Sequence, residues 1–136
     1  MGSEMAGGMR AILGSLLAVA PACAETEDDP AGITCDRQPP LDWHNFGSGF
    51  VDLHCTSCHS VENSEPQRSG APLGVDFDTY GDVVEHVERI EHEAIGADPA
   101  MPPSGGPTSA ELALFREWLT CAVWPDHDVL ESNGQL

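Results

Sequence analysis

Between Leu41 and Cys55 apolar side chains recur at spacings of three and four, at Trp43, Phe46, Phe50, Val51 and Leu53. That period lines one face of an α-helix, so the stretch is predicted to be a helix running into Cys55. Gly47 and Gly49 weaken it as an isolated helix and make sense where another helix crosses closely. A second pattern begins after Asp78 or Thr79, either of which can cap a helix. Val83, Val84, Val87, Ile90 and Ala94 then form one apolar face, opposite Asp82, Glu85, Glu88, Arg89 and Glu91. Glu85 and Arg89 have the spacing of an i,i+4 ion pair, and Gly96 and Pro99 end the segment. A third pattern follows Thr108-Ser109-Ala110-Glu111, which has capping-box spacing. Leu112, Leu114, Phe115, Trp118, Leu119 and Cys121 carry an amphipathic helix from there to Pro125.

The intervals are as informative. Residues 60–77 contain Pro66, Gly70, Pro72 and Gly74 and hold no period, which predicts a long loop of the kind that wraps a functional group. Met101 to Pro107, MPPSGGP, carries three prolines and two glycines and can be neither helix nor central strand. No alternating strand pattern and no internal repeat is present, so the expected fold is all-α, a small domain of three or more helices and long loops. Its span is residues 41–125, after an acidic Pro/Gly-rich tether at 24–40 and before an acidic tail at 126–136.

The first 23 residues carry a different signal. Arg10 precedes the apolar run AILGSLLAVA at 11–20, and small residues follow at Ala22, Cys23 and Ala24, the order of an export signal. The run is too short for a permanent span, which needs about 20 residues. Met9 is a sensible start in its own right. Cleavage after Ala24 fits a small-x-small site, while VAPAC imperfectly resembles a lipobox that would leave Cys23 lipidated. The expected location is extracytoplasmic, in a bacterial periplasm or cell envelope, either diffusing or tethered through Cys23.

Charge narrows the partners. The 136 residues include 23 acidic and 5 basic side chains, every basic one an Arg, for a formal charge of −18. Such a surface repels phosphate backbones and anionic headgroups, which excludes nucleic acid and basic-patch membrane attachment. A charged partner should be basic.

The candidate chemistry centres on CTSCH, Cys55 to His59. Thioredoxin-type exchange places such a pair above a βαβ sheet, for which this chain has no strands. A structural zinc wants four ligands, and His86, His92, Cys35 and Cys121 are poorly spaced to complete a set. Cys-x-x-Cys-His is the c-type haem attachment pattern: two thiols add to the porphyrin vinyl groups and the next imidazole meets the iron. That makes Cys55 and Cys58 the attachment residues and His59 the proximal ligand. Met101, 42 positions on, is the sole Met after the leader and sits on a Pro-rich loop that can hold a thioether against the iron. An open sixth position, as in a haem enzyme or a gas- or peroxide-binding protein, is the alternative, and a haem-free metal module is a further one. Cys35 and Cys121 can pair if the two ends of the domain meet, which leaves Cys23 odd.

Together GSGFVDLHCTSCHS, the GAP at Gly70-Ala71-Pro72, MPPSGG at 101–106 and the ELALFREWLTC segment resemble the class I monohaem cytochrome c family, and exported bacterial cytochrome c domains in particular. The resemblance covers residues 41–125. It implies an electron carrier rather than an enzyme, with one covalent haem c and redox proteins as partners. It further implies a helix crossing shared by Gly47, Phe50 and Trp118, proximity of Cys35 and Cys121, and a hydrogen bond from His59 Nδ1 to the Pro72 carbonyl. The lysine-rich rim by which some members dock is absent here, so docking is expected at the apolar haem edge, through a basic partner, or both.

Overall fold

The computed structural model describes residues 32–103 and 105–136. The leader, Cys23 and tether residues 24–31 lie outside the described residues. Among the described residues all regular structure is helical: α1 (Ser48–His54), α2 (Glu65–Arg68), α3 (Tyr80–Glu85), α4 (Val87–Ile90), α5 (Ser109–Trp118) and α6 (Trp124–Ser132). Wide π-helical turns at Trp43–Gly47, Glu91–Ile95 and Leu119–Val123 lead into α1, extend α4 and join α5 to α6. No helix among the described residues is long and apolar enough to cross a membrane.

The first helical stretch begins where the apolar pattern does, at Trp43. The Asp42 carboxylate accepts hydrogen bonds from the backbone of His44 (2.7 Å) and Asn45 (2.8 Å), and Asp42 N–H donates to Asn45 Oδ1 (2.9 Å). This satisfies donors that a helix N-terminus leaves without partners. Phe50 and Val51 turn into the core, whereas Leu53, on the same pattern, is 70 % exposed. A side chain added at Gly47 would enter the ring of Trp118, its Cβ coming within 2.8 Å of Cε2, while one at Gly49 would meet nothing. Thus one of the two glycines marks the crossing.

Phe50 stacks on Phe115 at 4.1 Å with the rings 13° apart, and Phe46 meets Trp118 edge-on at 6.1 Å. Trp43 and Tyr80 close the far side of Trp118 at 6.2 and 6.3 Å. Each such aromatic pair contributes about 0.5–1.5 kcal/mol beyond its buried area. Val83, Val84, Val87 and Ile90 bury the predicted face, and Leu119 and Val123 complete the core.

The helix after residue 79 differs from expectation in continuity. Thr79 is its cap, accepting from Asp82 N, while Asp78 binds Ser60 Oγ (2.6 Å) and Val61 N (2.8 Å) instead. His86 breaks the helix at φ −108°, ψ 15°, between α3 and α4. Its Nε2 is hydrogen-bonded to the Gly74 carbonyl (3.0 Å), so this ring ties the helix to the loop rather than standing free in solvent. Glu85 and Arg89 form no ion pair, the register between them being interrupted at that break.

The helix expected to stop at Pro125 continues to Ser132. Proline in a helix interior lacks an N–H and clashes with the carbonyl four residues back. The π-helical turn Leu119–Val123, in which Trp124 N–H reaches Leu119 O, widens the chain just ahead of the proline, which then takes a first-turn position in α6. Residues 126–132 are therefore helix rather than loose tail, and α6 packs on α3 through the Tyr80 hydroxyl, which donates to Asp126 Oδ2 (2.7 Å). Burial and that carboxylate push the Tyr80 phenol well above its ordinary pKa.

Cys35 and Cys121 are joined in a disulfide, Cα to Cα 5.5 Å. Beside it Arg37 forks onto the Glu117 carboxylate, Nη2 to Oε2 at 2.8 Å, holding that acid below and the guanidinium above their ordinary ranges. The N-terminal arm is pinned to α5 by the ionic tie and to the π-helical turn that follows it by the covalent one.

Candidate functional site

A cavity of about 880 Å³ opens between the helix crossing and the loop at residues 60–77, and Cys55, Cys58, His59, Pro72 and Met101 all line it. Small-molecule and cofactor sites occupy roughly 300–1,000 Å³. The remaining wall is mostly apolar: Phe50, Val51, Leu53, Val75, Phe77, Ile90, Leu112 and Phe115 from the helices and loop, Pro102, Pro103 and Pro107 from the other side. Leu53 is exposed because its apolar face belongs to this wall rather than to the core.

Each donor arrives by a local rule. Helix α1 ends at Cys55, whose N–H bonds Val51 O (2.8 Å), and a tight turn, His59 N to Cys55 O at 2.9 Å, brings Cys58 and His59 to the same side. Both thiols are free. Burial pushes the Cys55 thiol up to about 12. Exchange and nucleophilic cysteines need the opposite shift, toward thiolate.

His59 lines the cavity with its ring fixed. Nδ1 lies 2.7 Å from the Val75 carbonyl and the ring packs against Phe77, centroids 5.0 Å apart. With Nδ1 engaged as the donor to that carbonyl, Nε2 is the nitrogen left to bind a metal. The acceptor is a correction to the sequence reading, which assigned this bond to Pro72. The Pro72 carbonyl instead accepts from Arg68 Nη2 (2.6 Å) and from Val75 N (3.3 Å). The loop turns inward three residues later than the resemblance implies, and Pro72 reaches the site as wall.

Met101 is 38 % exposed and lines the same cavity. Its backbone N–H and that of Ala100 both bond Glu93 O, at 2.9 and 2.8 Å, which anchors the Pro-rich loop to the end of the preceding helix. A Cβ at Gly106 would lie 2.8 Å from Pro102 Cγ, so the glycine lets the loop fold back on itself. His92, the other candidate ligand on that helix, is exposed and faces Glu93.

Arg68, unremarked in the sequence pattern, is the most buried charge in the described structure, at 1 % exposure. Helix α2 delivers it, and Ser69 (φ 50°) and Gly70 (φ 91°) reverse the chain immediately after. Its five N–H donors meet five acceptors: Ala71 O (3.1 Å), Ser60 O (2.8 Å), Asp76 Oδ1 (2.7 Å), Pro72 O (2.6 Å) and Val75 O (3.3 Å). A guanidinium has no further donors to offer. No hydrophobic period signals such a residue; the one hint is an arginine isolated in a Pro/Gly loop.

Among the described residues the one group of three or more His, Cys, Asp or Glu donors within metal reach is His127, Asp128 and Glu131, which excludes Cys55 and Cys58. The cysteine pair thus lacks the companions of a closed zinc site. The cavity brings together two free thiols, an oriented imidazole and a thioether amid mostly apolar surface, a donor set that suits a flat cofactor. Comparison with protein-family models, with curated proteins and with solved structures finds no match to the chain.

Proposed function

We propose that the protein is an exported one-electron carrier that binds one haem c covalently. The observation carrying this reading is the convergence of Cys55, Cys58, His59 and Met101 on one apolar cavity with His59 Nδ1 already committed to a backbone carbonyl. When bound, the haem supplies the one-electron chemistry. Cys55 and Cys58 would hold it by thioether bonds, each thiol adding its sulfur and proton across a vinyl double bond. His59 Nε2 and Met101 Sδ would bind the iron, a ligand pairing that would raise its potential. Phe50, Val75, Phe77 and Phe115 exclude water around it. No carboxylate pair, triad or phosphate loop accompanies the site, and the reading assigns no catalysis.

The acidic surface favours a basic redox partner that meets the protein at its apolar rim, where Leu53 and Met101 are exposed. The export-like pattern of the first 23 residues supports a location in a bacterial periplasm or cell envelope. The exposure of Met101 favours one second reading, an iron site whose sixth position opens to small ligands.

Optical spectroscopy of protein matured in a haem-attaching host tests both. A low-spin spectrum with the weak far-red band of thioether-ligated ferric haem, lost in Met101→Ala while the colour stays bound, is the expected result. Rapid CO binding by the unaltered protein without that band would replace the carrier by the open-site reading.

A further inference from the structure

We propose that Arg68 is a positioning residue that sets the donor strength of His59 through the Val75 carbonyl, and thereby tunes the reduction potential of the site. The inference rests on the haem c reading. Val75 O is shared: it accepts from His59 Nδ1 at 2.7 Å and from Arg68 Nη2 at 3.3 Å. A carbonyl that accepts the imidazole proton gives the ring partial imidazolate character and makes it a stronger ligand. A cation on the same oxygen draws on the same electron density and reverses part of that effect, the more so where little water screens it. Arg68 and Val75 are both buried, at 1 % and 7 % exposure.

The pull is itself balanced. Asp76 is the ion-pair partner of the guanidinium, at 2.7 Å and with a fifth of its side chain exposed. Since all five Arg68 donors are committed to the chain, this residue has none left for a cofactor carboxylate, and its influence on the iron passes through the loop. Arg89 is the other arginine on the cavity wall, and it is exposed. A weaker His59 donor stabilises the ferric state less, so Arg68 raises the potential and Asp76 moderates the rise.

Redox titration of the haem-loaded protein and three variants tests this. Arg68→Gln should lower the potential by the equivalent of about tenfold in the one-electron equilibrium, about 59 mV. Asp76→Asn should raise it. Loosening of the loop would instead lower both, because loss of Met101 ligation lowers the potential. A shift in the same direction for both variants, or an unchanged Arg68→Gln potential with the parent spectrum, would overturn the proposal. Arg68→Lys keeps the charge but not the planar fork that serves Asp76 and Val75 together, so its potential should also fall. A parent-like potential there would make charge alone the cause and sink the shared-carbonyl route. If Arg68→Gln fails to assemble, the other two variants decide. Colourless parent protein from a maturing host would overturn the carrier reading itself, a result distinct from any of these.

Discussion

The two walls of the cavity are built on opposite principles. One carries the stacked Phe50 and Phe115, backed in the core by a fully buried Trp118 whose indole lies against the backbone at Gly47. On the other, a loop with scarcely any regular structure is wrapped around a single guanidinium that bonds four carbonyls and a carboxylate. The first wall is stabilised by area and shape, the second by complete satisfaction of one buried charge. The difference matters for the site because the dry wall supplies surface and the polar wall supplies orientation, fixing His59.

The contrast can be broken most severely at its apolar centre. Trp118→Ala should cost about 4 kcal/mol in denaturant unfolding, as large-to-small changes of buried aromatics do. Arg68→Met should cost about 3 kcal/mol, since removing one partner leaves the Asp76 carboxylate and four carbonyls short of a donor. The two losses should differ in reach: amide exchange should quicken throughout the helices in the first variant and chiefly across residues 60–77 in the second. Reduction of Cys35–Cys121, whose partners are 86 positions apart, should cost about 2 kcal/mol or more by freeing the unfolded chain. Its signature is a lower unfolding midpoint with the optical spectrum of the site unchanged. The smallest effect belongs to the α5 cap, where Thr108→Ala should cost about 1 kcal/mol near neutral pH. The Thr108 backbone and hydroxyl hold the Glu111 carboxylate below its ordinary range. Because a depressed carboxylate stabilises the fold only while ionised, the Thr108→Ala deficit should narrow as pH falls through the glutamate range, which unfolding curves at several pH values would show.

Periodicity made the apolar wall legible. Phe50, Val51, the valines at 83, 84 and 87, Ile90, Phe115, Trp118 and Leu119 all bury as their spacing implies. The same logic missed the run through Pro125, because a π-helical turn absorbs the proline's clash and leaves no trace in the pattern. The break at His86 was equally hidden, being set by a bond to Gly74 in a distant loop. Asp42 and Asn45 did carry a readable signal, the same three-residue spacing that marked Thr108 and Glu111. The candidate site was legible as chemistry, since Cys55, Cys58, His59, Pro72 and Met101 line one cavity, but not as geometry. Which carbonyl receives His59 depends on where the loop turns, and Ser69, Gly70 and Arg68 decide that through contacts no local pattern encodes.

The most direct test of the account is the intact mass of the purified, denatured protein after maturation in a haem-attaching host, read with alkylation of its thiols. The account predicts a chain heavier by one haem, with Cys55 and Cys58 both closed to the alkylating reagent. A chain of unmodified mass with both of these thiols alkylated would contradict it.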